Sequence, residues 1–126
     1  MIDKDVLINA RQLIESESSW TKGMVARDKD GYRIELYDSK AVCFCAYGAV
    51  AKTLQASLPR EFIQPKASNI VETYLDKAVR KLYPSFRRNG IASSSLPLMI
   101  AFNDGPRRKH ADVLRIFDTA IEEASK

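Results

Sequence analysis

One histidine, His110, and two cysteines, Cys43 and Cys45, are the entire supply of soft metal ligands and thiol nucleophiles in this 126-residue chain. A structural zinc site takes four ligands with its cysteines at CxxC-like spacing, and a CxC with one histidine falls short of that set. No metal or cofactor is expected. Cysteines so close together do not bridge each other easily, and they suit a reducing compartment. No apolar run approaches the roughly 18 residues that a membrane-crossing helix needs. The opening MIDKDVL has neither the basic start nor the apolar stretch of a secretory signal. The expectation is a cytoplasmic protein without membrane contact. The DKDG at residues 28–31 would belong to a calcium loop only with an acid at position 26 and a glutamate at 37, where the chain has Ala26 and Tyr37. No internal repeat is present.

What the chain has is 45% hydrophobic and 29% charged residues, enough for a single globular domain spanning residues 1–126 with a real core. Its longest uncharged apolar run is AVCFCAYGAVA, residues 41–51. That is too long for an ordinary strand and too short for a bilayer, and it reads as a helix buried on nearly every side. The predicted helix is capped by Asp38 or Ser39 and runs to about Leu58, with Tyr37 stapled to Val42 and both cysteines inside it. Gly48 costs such a helix about 1 kcal/mol relative to alanine, so it marks a close approach by another element.

Other segments follow from periodicity and punctuation. Asp3 is placed as the cap of a first helix, with Ile2 and Leu7 as a staple and Val6, Leu7, Ala10, Leu13 and Ile14 on one stripe. Fraying is expected at Glu15–Ser19. Val25, Ile34 and Leu36 share a face if Asp28–Gly31 forms the turn of a β-hairpin. Pro59 and Pro65 bracket an irregular lid, and Asn69 caps a third helix ending at Pro84. Residues 87–95 read as a mobile loop. Ser95 then caps a short helix over Leu98–Phe102, and a last helix runs from about His110 to Ala124. The fold class expected is α+β, mainly helical: a buried central helix surrounded by three or four helices, with one β-hairpin. Trp20 reads as a core anchor.

Charge is distributed unevenly. From Lys77 to His110 there are eight Lys or Arg against the single acid Asp104, the electrostatic footprint of a surface for phosphate, nucleic acid or an acidic protein. Within it, Arg107, Arg108, Lys109 and His110 crowd the start of the last helix, the positive end of its dipole, where cations are mildly unfavourable. Exposed backbone N–H groups plus these cations would suit an anion. The candidate anion-binding residues are therefore Arg87, Arg88, Arg107, Arg108, Lys109 and His110.

Trp20, Gly31, Cys45-Ala46-Tyr47-Gly48-Ala49 and Asn103-Asp104, followed by Asp112-Val113-Leu114 and Ala120-Ile121, form a pattern that resembles an uncharacterised family of small bacterial and phage proteins. This domain of unknown function shows a Trp, a CA-x-GA helix and a later ND before a C-terminal helix. The likeness covers most of residues 5–124 and departs at Phe102, where the pattern would have a second Trp. It implies a bacterial or phage cytosolic origin and no reaction.

These readings favour a small cytosolic binding protein, monomer or homodimer, that docks an anionic macromolecule, either nucleic acid or an acidic protein surface. Inhibition of a host machine by a phage-encoded protein would fit. Two alternatives are an enzyme with Cys45 as nucleophile, His110 as base and Asn103 or Asp104 as orienter, and a structural homo-oligomer.

Overall fold

The computed structural model describes residues 2–87 and 96–126. Helix α1 spans Asp3–Leu13 and buries Val6, Leu7 and Ala10, with Ile14 completing the stripe. Ile2, not Asp3, is its N-cap and is 65% exposed, so the expected staple to Leu7 does not form. A single 3-10 turn at Glu17–Ser19 leads to Trp20.

Strand β1, Ala26–Arg27, pairs antiparallel with β2, Cys43–Phe44, in the register Ala26 with Phe44 and Arg27 with Cys43. The Asp-Gly turn is where the sequence puts it: the Gly31 N–H donates to the Asp28 carbonyl at 3.0 Å, and Gly31 has φ +88°, a left-handed conformation that glycine adopts without a Cβ penalty. Across that turn β1 makes only the bridge between Arg27 and Arg33. The partner strand comes instead from the start of the apolar run.

That run therefore divides in two, which corrects the expectation of one continuous helix. Val42 N–H donates to the Arg27 carbonyl, Cys45 N–H to the Val25 carbonyl, and the Phe44 carbonyl accepts from Thr21 N–H. These bonds hold residues 42–45 extended. Helix α2 begins only at Ala46 and ends at Leu54. Its cap is Cys45, whose Sγ accepts from Gly48 N–H at 3.3 Å. Asp38 instead closes a local turn by accepting Lys40 N–H. Within α2 the expectation of burial holds, because Ala46, Gly48, Ala49, Val50, Ala51, Thr53 and Leu54 are all buried. Helix α2 packs against α1 and against two later helices, α3 (Arg60–Ile70) and α5 (Leu98–Asp104). Gly48 is the predicted point of close approach: a Cβ there would lie 2.2 Å from the Val25 carbonyl oxygen.

Helix α3, Arg60–Ile70, starts at Pro59 and continues through a π-helical turn, Val71–Leu75, into α4, Asp76–Leu82. The expected lid is thus helix, and Asn69 lies in mid-helix instead of capping it. Pro65 occupies the sixth position of α3, where it removes a single backbone bond near the helix start. Phe62 from this segment is 56% exposed while Ile63 is buried. Helices α5, Leu98–Asp104, and α6, His110–Ala124, complete the chain. The expected Ser95 cap and most of the 87–95 loop lie outside the described residues.

Helix α6 packs its Val113, Ile116, Phe117 and Ala120 face against α1, α4 and the π turn. Among the described residues, all the buried apolar side chains except that of Cys45 belong to one core cluster. The fold is mainly helical α+β, with the short antiparallel pair at one place in it. Among the described residues, no helix is long and apolar enough to cross a membrane.

The α5 entrance is held by a residue from α4. Asp76, 2% exposed, accepts from Leu98 N–H at 2.9 Å and from Met99 N–H at 2.7 Å. Helix starts leave such N–H groups without intrahelical partners, and a buried carboxylate satisfies two of them at once. Burial pushes the Asp76 carboxyl above the usual range, while the two donors and nearby Arg80 pull it back in part.

Candidate anion-binding face

Trp20, Ala46 and the Asn103-Asp104 pair, distant in sequence, meet at one point. Asn103, 1% exposed, accepts the Trp20 indole N–H at 2.8 Å and the Ala46 N–H at 3.1 Å on the same Oδ1. Its Nδ2 donates to the Thr21 carbonyl and to Asp104 Oδ1. That carboxylate oxygen also accepts Gly23 N–H, and Lys22 reaches the Gly105 carbonyl at 2.7 Å. The ND pair thus fastens the end of α5 to the 20–23 loop and the start of α2. The Asn103 bonds to the Ala46 N–H and the Thr21 carbonyl are buried and the one to the Trp20 indole is part-buried, so each would be costly to leave unpaired.

Six cations were candidates, and their surroundings differ. Arg108 is largely buried: its guanidinium sits 3.6 Å from the Phe102 ring centroid and 5.0 Å from that of Tyr83. Its Nε donates to the Phe102 carbonyl, and Asp112 lies 4.0 Å from Nη1. This is an interior role. His110 is also committed, its ring 5.7 Å from Trp20 and its Nε2 2.6 Å from the Ile14 carbonyl. A carbonyl can only accept, so the proton sits on Nε2. Lys109 is the N-cap of α6, and its N–H donates to Asp112. That acid answers the charge crowding at the helix start, which the sequence reading left to an external anion. Arg88 lies outside the described residues.

Arg87 and Arg107 stand differently. Both are exposed, and both line a depression of about 350 Å³ together with Phe86, Ala101, Asp104, Gly105, Pro106 and Arg108. Among the described residues Arg87 binds the carbonyls of Pro84 and Phe86. Among the described residues no carboxylate lies within ion-pair distance of either guanidinium. A second depression, about 590 Å³, is lined by Arg80, Pro84, Phe86, Arg87 and Leu98. Phe86 and Arg87 thus border both. The sequence reading did not single out Arg80 or Phe86. Arg80 lies inside the counted basic span, but neither its position beside Arg87 nor the role of Phe86 has a local signature.

Among the described residues no hydrogen bond joins the Cys45 thiol to His110, and each has another partner. Cys45 is 6% exposed and burial pushes its thiol up to about 11, the nearby Asp104 adding to the effect. Its Sγ is engaged by Gly48 N–H, and His110 by Ile14. Asn103 orients Trp20 and Ala46 instead of an imidazole. Cys43, half-buried on the adjacent strand, donates to the Ser18 carbonyl. Among the described residues there is no cluster of metal-binding side chains.

Comparison with curated proteins and with solved structures finds no match. A family model does match, over residues 2–123, nearly the whole chain. The resemblance carried by Trp20, the CAYGA segment and the Asn103-Asp104 pair rests on residues that hold one another in place, and the chain belongs to a family of unknown function, DUF6197.

Proposed function

We propose that this protein is a small cytosolic binding module that docks an anionic macromolecule on the face bordered by Arg80, Arg87 and Arg107. One observation carries the reading: Arg87 and Arg107, from segments distant in sequence, line one depression with no carboxylate paired to either among the described residues. Three arginines share this depression with one carboxylate, Asp104, and an external anion relieves the repulsion that this acid leaves uncompensated. Arg108 borders the same depression while its guanidinium lies against Phe102, and His110 is taken up by the Ile14 carbonyl. A bacterial or phage protein of this kind would act by occupying a surface, and occlusion of a host nucleic-acid-binding machine suits its charge.

Fluorescence anisotropy with a labelled thymidine oligomer and with labelled polyglutamate, at low and rising salt, tests this. Binding to at least one polyanion is expected, weakening as salt rises because counterions are released on docking. The double substitution Arg87→Ala with Arg107→Ala should abolish it. No binding at low salt, or binding indifferent to the double substitution, removes the proposal.

A further inference from the structure

We infer that the anionic partner is a single strand of nucleic acid, with a base stacked on Phe86; this rests on the polyanion reading above. The first argument is shape. The guanidinium groups border depressions of about 590 and 350 Å³ that meet at Phe86 and Arg87. A flat protein surface or a stiff duplex does not reach into two adjoining hollows, whereas a narrow, flexible chain does.

The second argument is the ring between them. Phe86 is half-buried, and its ring meets Phe102 edge-on at 5.5 Å with Arg108 5.6 Å from its centroid. Phe102 is in turn fully buried and packed against Tyr83 at 4.9 Å. The aromatic is therefore braced from the core while it borders both hollows. An aromatic ring with arginines to either side is the arrangement that binds single strands without sequence preference, the ring taking a base and the guanidiniums taking phosphates. An acidic peptide would use the arginines but has no aromatic face for Phe86 to stack on.

The third argument concerns the one acid. Asp104 borders the smaller hollow, yet its Oδ1 is occupied by Gly23 N–H and Asn103 Nδ2. Those donors offset part of its repulsion of a phosphate. Arg80, Arg87 and Arg107 outnumber it.

The test compares a short thymidine oligomer, an abasic oligomer of equal length and polyglutamate, on the wild-type chain and on Phe86→Leu. Leucine keeps an apolar side chain against Phe102 and removes the π face. The base-bearing strand should bind about tenfold more tightly than the abasic one, within the range expected for one stacked base. Phe86→Leu should erase that ratio while leaving abasic affinity unchanged, which also reports an intact site. Equal wild-type affinity for the two strands, or tighter binding of polyglutamate, overturns the inference while the polyanion reading stands. Failure of all three to bind defeats the polyanion reading itself.

Discussion

The indole N–H of Trp20 donates to Oδ1 of Asn103 at 2.8 Å, joining residues 83 positions apart. The same oxygen takes the first N–H of α2, from Ala46. One amide therefore fixes the 20–23 loop, the end of α5 and the start of the central helix.

Asn103→Ala should destabilise the protein by about 2–4 kcal/mol, since it strands the indole and Ala46 donors in a buried site. Urea unfolding followed by Trp20 fluorescence measures it. Asn103→Asp should also destabilise, because it loses the donor to Thr21 and sets a second carboxylate against Asp104. A change below about 0.5 kcal/mol in both variants would show that the junction is held by packing alone.

Gly48→Ala sets two effects against each other. Alanine gains about 1 kcal/mol of helix propensity, but its Cβ would lie 2.2 Å from the Val25 carbonyl oxygen, a backbone atom that the β1–β2 pairing holds. Overpacking of this kind costs about 1–3 kcal/mol or more, so net destabilisation is expected in thermal melts. Gly105→Ala is the control: its nearest contact would be 3.5 Å, ordinary van der Waals distance, and its melting temperature should barely move.

Asp76 ties stability to acidity. Asp76→Ala leaves the Leu98 and Met99 N–H groups buried without partners, a loss of about 2–4 kcal/mol. Burial holds the folded carboxyl above its unfolded value, so the folded state binds the proton more tightly. The stabilisation linked to that proton is full below the unfolded value and is lost as pH rises through the folded one. The stability gap between wild type and Asp76→Ala should therefore widen on acidification from neutral. A gap that shrinks would mean that the two backbone donors outweigh the burial.

Cys45 should be chemically quiet. With its thiol raised from 9.0 to about 11 by burial, alkylation of the native protein at neutral pH should fall on half-buried Cys43 first, and on Cys45 only after unfolding. Mass spectrometry of the alkylated protein reads the order. The stability held by the protonated thiol is present in full below about 9 and is lost as pH rises through about 11, and Cys45→Ser should abolish that alkaline component. Rapid native modification of Cys45 would revive a nucleophilic role.

Neighbouring arginines should separate by assay. Arg108→Ala removes a guanidinium set against Phe102 and Tyr83, and a loss of about 2 kcal/mol in stability is expected from that desolvated contact. Arg107→Ala, exposed and without an ion pair among the described residues, should leave stability within about 0.5 kcal/mol and weaken polyanion binding. The reverse assignment would place the contact surface elsewhere.

Local sequence determined the helical character, the bounds of α6, the Asp-Gly turn and the crowding at Gly48, because side-chain spacing, glycine and proline act over a few residues. The resemblance to a family, and not local spacing, grouped the Trp, CAYGA and ND residues, without saying why they belong together. Tertiary structure decided what happens at residues 42–45. There the apolar pattern suits a helix, but backbone partners from Thr21, Val25 and Arg27 hold the chain extended, and hydrogen-bonding partners so distant leave no trace in periodicity. It likewise decided which cations turn outward. Arg107 and Arg108 are adjacent and chemically identical in sequence, and the aromatic cluster of Tyr83 and Phe86, from the segment after α4, with Phe102 of α5 draws Arg108 inward and leaves Arg107 exposed.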